Sequence, residues 1–211
     1  MVASIDDNVA AKSKIIDYAM PLFIQSGFSR VSVEDITSAL AMSKKTFYKY
    51  FDSKEDLVHQ IVLRITGEMG CLIESTIGSD LPFVMKLHRL VSLLHARFSQ
   101  FSAAMLRDIQ LHAPDSWTYI QEFRRTKILT VWGRMIEQGQ REGYIRASIN
   151  PRLLLLSMLG IVESVVNPRT LANESFSTHE AIHGIIDMIF RGILTEAAIH
   201  ELDSLHVTQQ S

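Results

Sequence analysis

The stretch "VSVEDITSALAMSKKTFYKYFDSKEDL", residues 31–57, decides how this chain folds. Ser32 precedes an apolar-periodic run and Asp35 sits three residues on, the spacing at which hydroxyl and carboxylate satisfy each other's free amides in a capping box. That predicts a helix from about Val33 to Leu40. A second short helix is predicted over Ser43 to Phe51, and a longer one opens at Ser53 with Asp56 in the reciprocal position. Two short helices joined by a tight turn make the helix-turn-helix plan, whose second helix enters the major groove of DNA.

At about 100° per residue, the second of these helices separates two faces. Lys44, Lys45, Tyr48 and Lys49 fall on one side, and Phe47, Tyr50 and Phe51 on the other. An aromatic side that packs leaves ammonium groups and a phenol free for phosphates and base edges, with Lys44 or Lys45 placed to donate to guanine O6 or N7. Backbone amides near Ser43 add an anion-attracting terminus, flanked by Thr46 and Lys54 as phosphate contacts. Between Lys44 and Phe51 there are three lysines and no carboxylate. Charge alone leaves open a merely solvated basic face on a core helix.

The helical period extends outward. Ile15, Ile16, Ala19, Leu22 and Phe23 form one stripe, which should end where Gly27 takes the left-handed conformation. Leu57, Val58, Ile61, Val62 and Ile65 give the helix after Ser53 its buried face. Pro82 suits the first turn of another helix, and breaks fall at "HAPDS", "REGY", "SINP" and "NPRTLANESFST". The expectation is an all-α chain of about nine helices, with no strand or internal repeat. A three-helix unit over 1–52 precedes a larger helical unit over 53–211. No flexible linker divides them, so the helix opening at Ser53 couples the two.

The run "KIIDYAMPLFIQSGFSRVSVEDITSALAMSKKTFYKYFDSKEDL", residues 14–57, resembles the DNA-binding domain of the tetracycline-repressor (TetR) family of bacterial transcriptional regulators. The "LF-x-x-x-GF" helix ending, "SVEDI", "SKKTFYKYF" and "SKEDL" carry the likeness. It implies a helix-turn-helix domain followed by a helical effector-binding and dimerisation domain, in a homodimer that binds a pseudopalindromic operator on double-stranded DNA. It places Ser43, Lys44, Lys45, Thr46, Tyr48, Lys49 and Lys54 at DNA. Two positions depart from the pattern. Ala41 stands in the turn where the family usually has Gly, at a cost of roughly 1–2 kcal/mol if φ is positive there. Lys45 stands where Gly is common, which should alter operator preference.

Beyond residue 57 the likeness is weak and periodicity has to serve. Leu153–Val166 and Ile182–Leu194 are strongly apolar, with Gly160, Gly184 and Gly192 permitting close helix approach. Both intrachain core and a dimer interface fit; the family pairs such helices with the dimer mate. A two-fold dimer sets two recognition helices roughly 34–36 Å apart, one duplex turn. A pocket for a small, mostly apolar effector is expected among residues 83–142, from Phe98, Phe101, Met105, His112, Trp117, Tyr119, Phe123 and Trp132. For any one of these taken singly, plain core packing is the simpler reading. Glu163, alone in an apolar run, fits a solvated edge or a partner for a cationic ligand or an Arg.

Composition fits this picture. The 211 residues are 47% hydrophobic, enough for a core, and a net charge of −2 leaves nucleic-acid binding to local clusters. A single cysteine, Cys71, excludes an intrachain disulfide, and no basic start leads into an apolar run, so a cytoplasmic chain without a membrane segment is expected. One motif competes. His179, Glu180 and His183 spell H-E-x-x-H, in which two imidazoles one helical turn apart reach one zinc and the Glu acts as base. The metzincin continuation is absent, with Ile186 where its Gly belongs, and Glu196 and Glu201 read as lying on the same helix. A third ligand would have to come from elsewhere in the fold. A zinc hydrolase and a helical scaffold without DNA binding therefore stand as alternatives to a ligand-responsive regulator, most often a repressor. The reading favoured is the regulator: not an enzyme, and without cofactor or metal.

Overall fold

Helices begin where caps and apolar periods coincide. The computed structural model describes the backbone of residues 3–98 and 101–208, with side chains over 8–97 and 101–204. In chain order come α1 (Ala3–Ser26), a 3-10 turn (Phe28–Arg30), α2 (Val33–Ala39), α3 (Lys44–Phe47), α4 (Lys54–Ile77), α5 (Phe83–Phe98) and α6 (Ala103–His112). Then follow α7 (Pro114–Lys127), a π turn (Ile128–Trp132), α8 (Gly133–Arg141), α9 (Pro151–Val165), α10 (Pro168–Asn173), α11 (Thr178–Ile193) and α12 (Glu196–Thr208). The chain is all-α. Among the described residues the only strand-like feature is an isolated bridge between Ile145 and Leu194, and no helix is long and apolar enough to cross a membrane.

The helices outnumber the nine expected for local reasons. The stretch "NPRTLANESFST", read as a break, contains α10, because Asn167 accepts from the Thr170 amide and Pro168 presets the first turn. Extended backbone at Leu194 (φ −69°, ψ 151°) separates α12 from α11. Glu196 and Glu201 therefore lie on α12 and not, as the sequence suggested, on the helix that carries H-E-x-x-H.

Two units pack separately. The first comprises Met1–Gly67 with Gln100–Ile120. Its core gathers Ile15, Ala19 and Phe23 of α1 with Phe28, Ile36, Phe47, Phe51, Leu57 and Ile61. Met105 and Ile109 of α6 complete it, so this core draws on residues well beyond 52. Asp108 of α6 accepts from the Ser29 amide at 3.0 Å, and α6 passes so close that a Cβ on Gly27 would lie 2.5 Å from Asp108 Oδ2. Gly27, at φ 79° and ψ 149°, ends α1 in a positive-φ conformation open to glycine, though not the left-handed helical one expected of it.

The second unit comprises Glu68–Ser99 with Gln121–Ser211. Phe83, Leu87 and Leu90 of α5 pack with Val131, Met135 and Ile136, Leu155 and Leu159 of α9, and Ile182, Ile185 and Phe190 of α11. Gly139 admits Phe83 and Ile145, since a Cβ there would stand 2.7 Å from the Phe83 ring. α4 and α7 each contribute residues to both units.

The turn before α3 stores strain at one residue. Ala41 has φ 52°, the positive value at which a β-carbon crowds the following carbonyl. Its side chain is exposed, so no packing offsets the cost. Ala41→Gly relieves about 1–2 kcal/mol of crowding against about 0.5–1 kcal/mol of extra unfolded-chain entropy. The expected outcome is a chain more stable by about 0.5–1 kcal/mol in denaturant unfolding; a loss of stability would show that the turn is not strained at this residue.

Candidate nucleic-acid interface

The basic face is built from short-range bonds and one buried ring. Ser32 and Asp35 form the expected capping box: the Ser32 amide donates to Asp35 Oδ2 at 2.8 Å and Ser32 Oγ accepts from the Asp35 amide at 3.1 Å. The Ser32 hydroxyl and amide hold the Asp35 carboxyl below its ordinary range. Ser43 opens α3 by accepting from the Thr46 amide at 3.0 Å, and the two hydroxyls lie 2.9 Å apart. α3 spans only Lys44–Phe47, shorter than the helix to Phe51 that the sequence suggested. Beyond Phe47 the chain continues in tighter turns, with Tyr50 and Phe51 amides both donating to the Phe47 carbonyl.

The two faces separate as the sequence dictates. Phe47 is fully buried and Phe51 is 1% exposed, their ring centroids 5.3 Å apart, while Tyr50 is half-buried. Lys44, Lys45 and Lys49 are exposed, and Tyr48 is 53% exposed with its ring edge-on to Phe47 at 5.3 Å. Ser43 is exposed and Thr46 half-buried, both spending hydroxyls on the cap.

Three of the four lysines have intramolecular partners, Lys49 through the Tyr50 ring, 5.5 Å from its Nζ. Lys44 Nζ lies 2.7 Å from Glu34 Oε2, and that hydrogen bond, followed by the charge of Glu34, raises the Lys44 pKa. Such an exposed pair stabilises little, so exchanging Glu34 for another anion would cost little. Sequence reasoning missed Glu34, because a partner ten residues away across a turn leaves no periodic signal. Lys54 Nζ donates to the Phe28 and Val31 carbonyls at 3.0 and 3.3 Å and sits 5.4 Å over the Phe28 ring. It ties the start of α4 to the connection between α1 and α2.

The residues expected to line an effector pocket divide between the units. Phe101, Met105, His112, Trp117 and Tyr119 belong to the first, Phe123 and Trp132 to the second, and the Phe98 side chain lies outside the described residues. Met105 is buried in the first core, with Phe101 and Trp117 packed against it. His112 borders a cleft of about 340 Å³ that it shares with Glu55, Asp56, His59 and Asp115, carboxylates and an imidazole where a mostly apolar lining was expected. In the second unit the Trp132 ring lies 5.1 Å from Phe190 and Phe123 packs against the core. Glu163 is exposed and its charge acts on Arg124, whose pKa burial pushes down to about 10. Arg124 in turn donates to the Val166 carbonyl at 3.2 Å, at the end of α9.

Residues 15–61, which hold the whole of this face, match the family model for bacterial regulatory proteins of the tetR family. The chain is 26% identical over 185 residues to the HTH-type transcriptional regulator YvaF of Bacillus subtilis, covering 87% of this chain and 95% of the relative. It is 26% identical over 146 residues to the HTH-type transcriptional repressor KstR2 of Rhodococcus jostii, covering 67% and 71%. A putative transcriptional regulator from Saccharomonospora viridis, solved in complex with choline, shares the fold with a TM-score of 0.68 at 18% identity, over 89% of this chain and 100% of that one.

Lys54→Met keeps the aliphatic stem and removes both charge-assisted bonds. It should lower stability by about 1–3 kcal/mol in thermal or denaturant unfolding, whereas Lys45→Met should leave stability unchanged. Equal stability of the two variants would reduce Lys54 to a surface cation.

Proposed function

Since the chain belongs to the tetR family of bacterial regulatory proteins, we propose that it is a ligand-responsive DNA-binding repressor. In this reading it leaves a pseudopalindromic operator when a small, mostly apolar molecule binds. The carrying observation is the exposure of Lys44, Lys45, Tyr48 and Lys49 on a segment whose other face, Phe47 and Phe51, is buried. A groove-reading element needs a rigid inner anchor and donors outside. Ser43, Thr46 and Lys54 act at its edge, through the cap and the α4 tie, and their remaining donors face phosphates. Lys45 adds a donor that tunes operator preference.

The chain acts by binding, not by catalysis, and works in the cytoplasm as a homodimer. Leu153 (66% exposed), Leu156 (46%) and Gly160 share one face of α9, and Gly184, Met188 (61%) and Gly192 share one face of α11. Among the described residues, apart from each glycine's chain neighbours and its own helix backbone, no heavy atom stands within 4 Å of where a Cβ would lie on Gly160, Gly184 or Gly192. An exposed apolar face with small residues suits close helix packing against a second copy, whose two-fold symmetry the operator mirrors. Effector contacts are proposed at Phe123 and Trp132, the expected residues whose described side chains belong to the second unit. The choline complex supports the principle, since a protein of this fold takes a small organic ligand. Coupling requires the ligand to prefer the conformation that does not bind DNA. α4 and α7, which serve both units, are the elements able to report it.

The bound site is mapped on genomic DNA and its affinity measured against salt. Lys44→Ala and Tyr48→Ala should each weaken specific binding roughly tenfold or more without changing unfolding; retained binding in both would refute the interface. Leu153→Glu combined with Met188→Glu should convert the dimer to a monomer in sedimentation and abolish tight operator binding. A dimer that persists would place the two-fold contact elsewhere.

A further inference from the structure

Two carboxylates in first helical turns of this chain are spent on caps. Asp35 Oδ2 accepts from the Ser32 amide and hydroxyl, and Glu180, the base that H-E-x-x-H would need, accepts from the Ser177 amide at 2.7 Å and from Ser177 Oγ at 2.8 Å. Glu34, next to Asp35 in the first turn of α2, is used differently. Its Oε2 meets Lys44 Nζ at 2.7 Å, joining α2 to the residue that opens α3 on the far side of the Ala41 turn.

Lys44 needs such a partner if it is to read sequence. An ammonium on a four-carbon stem is a flexible point charge, whereas the planar guanidinium of arginine comes with its donors already directed. The Lys44 backbone is held by the Ser43 cap and by Phe47, fully buried three residues on. The Glu34 bond, which also raises the Lys44 pKa, holds the head of the side chain. One N–H donor is then spent, and the ammonium keeps two more, as many as guanine O6 and N7 accept. The Lys44 side chain is 55% exposed and that of Glu34 70%, so DNA can reach the remaining donors.

Sequence-independent binding makes another demand. On a duplex of arbitrary sequence the lysines serve as charges for phosphates. There Lys44 must leave Glu34, or approach with its charge already answered by a carboxylate, and either way Glu34 lowers what the phosphate gains. On the operator the same bond is kept and directs the donors. The carboxylate thus acts in opposite directions on the two classes of site. Each effect is small, since exposed pairs contribute little, but a dimer carries two distant copies whose effects multiply.

Building on the regulator reading, we propose that Glu34 is a specificity-determining residue that acts by positioning: it directs Lys44 at a base edge of the operator and opposes the transfer of Lys44 to phosphates elsewhere. The test uses the full chain at physiological salt, because low salt exaggerates surface charge. Two fluorescein-labelled duplexes of equal length serve as probes, the operator fragment mapped on genomic DNA and a scrambled sequence of the same composition. Glu34→Gln should lower the ratio of operator to scrambled affinity by roughly two- to fivefold for each protomer, with tighter binding to the scrambled duplex and no tighter binding to the operator. In a Lys44→Met background Glu34→Gln should leave the ratio unchanged, since the carboxylate acts through that ammonium. Unfolding curves of the four chains show that binding is compared between folded proteins. Equal gains on both duplexes would reduce Glu34 to bulk charge and overturn the proposal, as would a fall in the ratio that persists without Lys44. A wild-type chain that does not distinguish the duplexes would overturn the regulator reading with it. Discrimination by the wild type with an unchanged ratio in Glu34→Gln would overturn this proposal alone.

Discussion

The first unit depends on burying Phe47. α3 is a single turn of four residues, far below the length at which a helix holds itself in water. Its geometry is imposed from inside, by a fully buried ring packed on Phe51 among side chains of α1, α2 and α4. The lysines around it keep a defined direction because the aromatic face cannot turn outward without exposing a large apolar surface. Burial of one ring thereby fixes the pose of several exposed cations.

Around that anchor, local bonds oppose one strained turn. The Ser32–Asp35 box and the Ser43 cap set where α2 and α3 begin, while Ala41 takes positive φ between the two helices. The structure tolerates the strain because Met42 and Ala41 amides still find the Thr37 and Ser38 carbonyls at 2.9 and 3.1 Å. Electrostatics are set with similar restraint. Glu34 occupies Lys44 in the free protein and Lys54 is turned to backbone carbonyls, so the positive face is smaller in readily available charge than its lysine count implies.

The second unit follows a different logic. Its core is continuous through α5, α8, α9 and α11, while the outer faces of α9 and α11 keep leucines, a methionine and glycines in solvent. Apolar residues left outside a well-filled core need a partner more than a further intrachain explanation. The opposite edge of α11 is polar, and carries the imidazoles that face α5.

The sequence by itself determined whatever depends on neighbours within about one helical turn. Caps at Ser32 and Ser53, the end of α1 at Gly27, the buried stripes of α1 and α4, and the division of Lys44–Phe51 into two faces were all legible, because each is a relation between residues close along the chain. Tertiary structure alone decided that α6 completes the first core, that Met105 packs there and not in a pocket, and that Lys54 bonds to Phe28 and Val31. It alone brought His95 to His179 and His183, across more than eighty residues of sequence. Such meetings follow from how whole helices bury their faces against each other, and no spacing along one helix encodes which other helix arrives.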